Sequence, residues 1–342
     1  MTDPRTRRRI DVRLAELYNR HLSVDDSAVA SYYEPDMVGN EPDMVGNGRD
    51  TFGVSLADLD GELHGVGDHD KRFAVQSISK VFVYALVLAD CGSDRVLEQV
   101  GVEPSGDAFN SILLDERDRR PYNPMVNAGA IVAAGLVRGK DSSERVDRIV
   151  EVMRLFAGND TLSVDQETFD REWAASDRNR AIAYLMSSHG MLTGDVEETL
   201  AVYLQQCSVA LTCDDLARMA ATLANGGVNP VTGVRPLPAL RVRDVLSVMF
   251  TCGMYDFAGE WAFEVGVPAK SAVSGGILAV VPGKMGIGTL SPGLDPHGNS
   301  VRGVGVCREV SQHLGLHMFA GEDEDELLGP SAPDPVDSGG SD

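Results

Sequence analysis

Strand signals stand at both ends of this chain, and a long helical stretch separates them. Residues 51–56 and 62–66 are β-like and flank the turn residues Asp60-Gly61, which predicts a hairpin. Residues 276–281, 285–290 and 301–306 read as three late strands, broken by Pro282-Gly283 and Pro292-Gly293, with a last helix at about 308–314. Between them the spacing is mostly helical, with segments at about 128–137, 146–155, 180–185, 196–207 and 214–223. An apolar helix over 75–89, stopped by Gly92, leads in. A first helix over 5–22 carries Ile10, Leu14 and Leu17 on one side. This order is not the alternation of a parallel βαβ sheet. It predicts an α+β fold: one mainly antiparallel sheet built from both ends of the chain, flanked by helices, with a helical insertion. Residues 1–320 then form a single domain. Its sheet lobe takes in about 1–84 and 245–320, and its helical lobe about 85–244.

Charge and cysteine content narrow the setting. Among 342 residues, 30 are Lys or Arg and 52 are Asp or Glu, a formal net charge of −22. Nucleic acid and anionic membrane surfaces are poor partners for such a chain. Eight of those acids lie in residues 321–342, which have no Lys or Arg and are expected to form a disordered tail. The longest apolar runs, about 81–89 and 128–137, are too short to cross a bilayer. The arginines at 5 and 7–9 lead into a polar stretch rather than the apolar core of a signal peptide. Five scattered cysteines with no zinc-like spacing point to reduced thiols and a cytoplasmic location. Residues 34–40 and 41–47 repeat one heptamer, EPDMVGN, which reads as a duplicated surface loop.

The sharpest chemical signal is Ser77-Ile78-Ser79-Lys80, an S-x-x-K motif at the start of an apolar helix. Residues three apart on a helix share a face, so Lys80 can reach Ser77. A desolvated lysine can act as the base that a serine nucleophile needs, and a helix N-terminus favours developing negative charge. Ser79 should face elsewhere. The second signal is Lys270-Ser271-Ala272, a K-[ST]-G-like triplet entering an edge strand about 190 residues later. The two motifs, in this order of sheet, helices and sheet, match the serine β-lactamase and penicillin-binding fold. Weaker patterns carry less. His313 and His317 have helical ligand spacing but no third ligand, and Gly286-x-Gly288 and Gly303-x-Gly305 sit in strand-like segments unsuited to nucleotides.

The stretch Phe73–Lys80 resembles the core signature of the serine-dependent glutaminases. So do the blocks at 123–131, 179–183, 225–230, 276–283 and 291–302, in family order across roughly residues 25–320. The resemblance implies a glutaminase catalytic domain that hydrolyses L-glutamine to L-glutamate and ammonia through a glutamyl-serine ester, with no metal or organic cofactor. It implies Ser77 as nucleophile, Lys80 as its activating lysine, and Tyr255 as a proton shuttle that also contacts substrate. Val273 and Ser77 match the backbone oxyanion donors. Asn127, Glu172, Asn179 and Tyr203 match the pocket for the amino-acid end of glutamine, and Tyr33 matches a lid residue. Homodimers or homotetramers are expected.

Without the resemblance these residues have plainer readings: Asn127 as an N-cap, Glu172 and Asn179 on a solvated helix face, Tyr203 in a core, Tyr255 on a loop. Two departures from the family stand beside Val273. Ala272 and Ser274 occupy positions where the family commonly has glycine, and a residue forced to positive φ at 272 would cost about 1 kcal/mol. The repeated heptamer starts directly after Tyr33 and could alter the lid. Two other readings follow from these features: a β-lactamase or D-alanyl-D-alanine peptidase, and an inactive amino-acid-binding protein of the same fold.

Overall fold

The computed structural model describes residues 4–24, 50–106, 114 and 119–320. Tyr33, the repeated heptamer and the acidic tail lie outside them. Helix α1 (Pro4–Leu22) is followed by the hairpin β1 (Gly53–Asp58) and β2 (Leu63–Gly67). A short strand β3 (Phe73–Ala74), a 3-10 turn (Gln76–Ile78) and α2 (Ser79–Cys91) come next, then α3 (Ser93–Leu97). The helical middle contains α4 (Asn127–Leu136), α5 (Ser142–Ala157), β4 (Ser163–Val164), α6 (Gln166–Ala174) and α7 (Asp177–Ser188). It continues through α8 (Val196–Cys207), β5 (Val209–Leu211), α9 (Cys213–Ala224) and α10 (Ala239–Cys252). After a second 3-10 turn (Tyr255–Phe257) and α11 (Ala258–Glu264), the chain closes with β6 (Ala269–Ser271), β7 (Gly276–Val281), β8 (Met285–Leu290) and α12 (Val301–His313).

The main sheet has the order β2-β1-β8-β7-β6, every neighbour antiparallel, so β1 from the N-terminal half pairs directly with β8 from the C-terminal end. Both of its faces are covered, which explains strands that are apolar at nearly every position. Val54, Leu56, Ile277, Ala279 and Ile287 point into a core shared with α1, α11 and α12. Leu278, Val280 and Leu290 point the other way, into the larger core of the helical half. Strands β3, β5 and β4 form a second, three-stranded sheet that the periodicity did not predict.

Two expectations need correction. The late strand at 301–306 is helix: α12 runs unbroken from Val301, and the side chain of Ser300 caps it by accepting from Gly303 N–H. Valine at every second or third position imitated a strand, whereas the cap and two glycines decide for helix. A Cβ at 303 would lie 2.7 Å from Thr289 Oγ1, and one at 305 would lie 2.5 Å from the His21 ring. Glycine thus lets α12 lie close against the sheet and α1. Gly286 and Gly288 do the same for α9, whose backbone would stand 2.2 and 2.4 Å from their Cβ positions. The second correction concerns the apolar helix, which starts at Ser79 rather than at residue 75. Phe73-Ala74 is taken by pairing with β5, and the 3-10 turn intervenes.

Candidate active site

Ser77 sits in the 3-10 turn that joins β3 to α2, and it is buried. Just before it, Gln76 adopts φ +47°, a left-handed conformation that costs a non-glycine residue about 1 kcal/mol or more. Tyr255, in the other 3-10 turn, has φ +57°. Arg119 is the one other non-glycine residue with positive φ among those described, so backbone strain concentrates at the two turns that carry candidate side chains.

Lys80, in the first turn of α2, is 1% exposed. Its Nζ donates to Asn127 Oδ1 at 2.6 Å and to Met125 O at 3.3 Å, and makes no hydrogen bond to Ser77. Burial is the dominant influence on this amine and lowers its pKa to about 8, Cys207 pulling weakly the other way. Asn127 does not cap α4. The position before it, Val126, is the N-cap, and Asn127 instead passes the contact on, donating through Nδ2 to Asn179 Oδ1 at 2.9 Å. Lys80, Asn127 and Asn179 therefore form one hydrogen-bonded row from three helices. Ser79 faces away, donating to Gln76 O at 2.6 Å.

Glu172 on α6 is joined to the serine turn by a residue that motif reading passed over. Gln76 Nε2 donates to Glu172 Oε1 at 2.9 Å. Burial raises the Glu172 pKa, opposed by that hydrogen bond and by Arg171. Tyr203 is fully inside, its phenol held against Cys207 one helical turn along α8, and burial first, then Cys207 and Glu172, push its pKa well up. Gln76 was findable, since it immediately precedes the serine in the Phe73–Lys80 block. Cys207, which also meets Ser79 Oγ at 3.8 Å, carried no sequence signal at all.

The opposite wall comes from the sheet. Tyr255 Oη donates to Ser271 O at 3.1 Å. Val273 lies in the turn between β6 and β7, which is packed on the serine turn: a Cβ at Gly276 would stand 3.1 Å from Ile78 Cδ1. Among the described residues, the backbone N–H groups of Ser77 and Val273 donate to no group. Unpaired donors of this kind suit an oxyanion. Ala272 and Ser274 do not have positive φ, so these departures impose no backbone strain; in this turn that conformation falls to Gly275, at +86°. Ser274 Oγ is buried without a partner among the described residues.

His313 and His317 diverge, bonding to Glu309 O and Ala262 O respectively. No helix among the described residues is long and apolar enough to cross a membrane.

Comparison with known proteins agrees across sequence and structure. A family model described as Glutaminase matches residues 40–319. A glutaminase of Trichormus variabilis is 52% identical over 304 residues, covering 89% of this chain and 88% of its own length. One from Microcystis aeruginosa is 54% identical over 268 residues, 78% and 79% of the two chains. The solved structure of Mglu in its glutamate form superposes with a TM-score of 0.84 at 45% identity, over 94% of this chain and 71% of that one. A Bacillus glutaminase structure gives 0.76 at 38%, over 80% and 94%.

Proposed function

The chain belongs to the glutaminase family, and from that premise we propose how its own residues hydrolyse L-glutamine to L-glutamate and ammonia. Ser77 Oγ attacks the side-chain carboxamide carbon and gives its proton to Lys80, whose Nζ turns from Asn127 toward the serine. The N–H groups of Ser77 and Val273 receive the negative charge on the tetrahedral oxygen. Tyr255 protonates the departing nitrogen, the C–N bond breaks and ammonia leaves. Lys80 returns its proton to Tyr255, leaving a glutamyl-serine ester and both bases neutral. Water then attacks the ester, Lys80 takes its proton, and Ser77 recovers one as glutamate departs. Glu172 pairs with the substrate's α-ammonium, while Asn127, Asn179 and Tyr203 hold its polar end.

The observation that carries this reading is a buried serine whose backbone N–H has no partner among the described residues, with a lysine three positions on whose pKa is about 8. With that value, about one molecule in ten holds the free base at pH 7. The test is ammonia release from L-glutamine by purified protein, with Ser77→Ala as control. Release that disappears in the variant supports the scheme, and release that persists overturns Ser77 as nucleophile.

Asparagine should turn over poorly, because its shorter side chain leaves the carboxamide short of Ser77. Tyr33 is proposed as a lid residue. A cytoplasmic setting is supported by five cysteines that are all free thiols, four of them buried, and the family suggests a homodimer or homotetramer.

A further inference from the structure

A second lysine is buried at the site, and the catalytic scheme above does not use it. Lys270 on β6 is 0% exposed, and no carboxylate among the described residues pairs with it. Buried lysines without a counter-ion are costly, so the fold must hold this one for a reason. Its Nζ donates to Ser271 O at 2.6 Å and to Gly253 O at 3.0 Å, and it stands 4.0 Å from the centroid of the Tyr255 ring. Ser271 O is the same carbonyl that accepts from Tyr255 Oη. One amine and one carbonyl thus hold the tyrosine at its ring face and at its hydroxyl.

The backbone is shaped to permit this contact. The end of α10 meets β6 at Gly253, where a Cβ would lie 1.7 Å from Ala269 O. Only glycine allows the two backbones so close. Gly253 O then accepts from Ser271 N–H as well as from Lys270, and two residues later Tyr255 is brought over the lysine with its strained positive φ.

We infer that Lys270 is a positioning residue for the glutaminase reaction, tethering Tyr255 through its ring face and through the Ser271 carbonyl that both side chains share. This rests on the proposed role of Tyr255. The proton moves from Tyr255 Oη to the departing nitrogen, and Lys270 acts by holding the ring and hydroxyl in place. An N–H group over the face of an aromatic ring is attracted to its π electrons whether or not the amine is charged, and more strongly when it is. The other titratable groups facing this pair are Lys80 from α2, Tyr203 from α8 and Cys252 from α10, the last with Glu103 beyond it. Burial and the nearby Lys80 lower the pKa of Lys270 well below the ordinary lysine range, so its charge is present on the acid side of that lowered value and is lost above it.

The experiment compares Lys270→Met, which removes the N–H donors, with Lys270→Arg, which keeps donors at the ring and carbonyl, alone and combined with Tyr255→Phe. In Lys270→Met, kcat should fall about 100-fold with KM within about threefold of wild type, and Lys270→Arg should recover about tenfold of that loss. In the Tyr255→Phe background the methionine change should cost less than threefold, because both changes act through one hydroxyl. The ¹³C signal of tyrosine-Cζ-labelled protein at neutral pH, with Tyr255 assigned from the phenylalanine variant, reads the same contact without turnover. That signal should move in Lys270→Met and stay nearer wild type in Lys270→Arg. An unmoved Tyr255 signal overturns the inference, as does equal loss in both lysine variants or full multiplicative loss in the double variant. If wild type releases no ammonia while the signal still moves, the hydrolase scheme fails and the tether stands.

Discussion

Both walls of the site present a buried lysine, and they hold it differently. On the helical wall Lys80 is bound to a side-chain amide, Asn127, which is bound in turn to Asn179. On the sheet wall Lys270 is bound to two backbone carbonyls and an aromatic face. Burial depresses both amines. A side-chain partner can rotate and release its lysine toward Ser77, whereas a strand carbonyl cannot follow or let go without disturbing the sheet. In the proposed scheme, the same desolvation then serves a base on one wall and a support on the other.

Arginine substitution breaks this comparison most directly. Lys80→Met should lower kcat about 10³-fold with little change in KM, the range expected for loss of a general base. Lys80→Arg should be equally inactive, because a guanidinium keeps its proton. An active Lys80→Arg enzyme would erase the distinction from Lys270. Steady-state kinetics at saturating glutamine settle it.

Next in size is Glu172, which belongs to the helical wall and in the proposed scheme handles charge rather than protons. Glu172→Gln should raise KM about 100-fold and change kcat little, through loss of a partly buried ion pair with substrate. Its carboxyl pKa is raised by burial, and binding needs the ionised form, so KM should climb as pH falls through that raised value. A KM that stays flat from pH 8 to pH 5 would place the α-ammonium elsewhere.

The Lys80 titration gives a smaller effect with a definite sign. Its folded pKa of about 8 lies below the ordinary lysine value of 10.5, so the folded state disfavours the protonated lysine. The resulting penalty is full below pH 8 and is relieved as pH rises through 8 toward 10.5. This group should therefore make stability rise with pH across that window, and Lys80→Met should flatten the slope while raising Tm at pH 7, as measured by thermal melts. The acid limb of kcat/KM should lie near pH 8 for the same reason, because the free amine is the active form.

The smallest change sharpens the sheet wall. Ala272→Gly restores the commoner family residue, yet residue 272 does not have positive φ, so no strain is relieved. Activity should be unchanged and stability lower by about 0.5–1 kcal/mol, the backbone entropy cost of glycine, read by denaturant unfolding. A gain in stability would mean that the alanine is strained after all.

Much of this was legible along the chain because short-range patterns carry it. The S-x-x-K spacing, the strand pairs flanking Pro282-Gly283, and helix α8 at 196–207 depend on residues within one turn or one hairpin. Where reading failed, the deciding contact was distant. Residues 301–306 looked like a strand because valine is β-branched; the Ser300 cap and the packing of Gly303 on Thr289 made them helix. Read without the family resemblance, Asn127 looked like an N-cap because asparagine so often is one, and Lys80, 47 positions earlier, claimed its oxygen. Gln76 reaches Glu172 across 96 positions, a pairing no local pattern encodes.

The sequence by itself determined the family and the sheet built from both ends, and it nominated the serine and lysine, because these reside in motifs with fixed spacing. Only the tertiary structure decided which buried amine is held by a side-chain amide and which by backbone carbonyls, and that the N–H groups of Ser77 and Val273 have no partner among the described residues. It also decided that Gly253 brings Tyr255 over Lys270. Those properties depend on desolvation and on backbone approach between segments far apart in the chain, and neither is encoded at any one position.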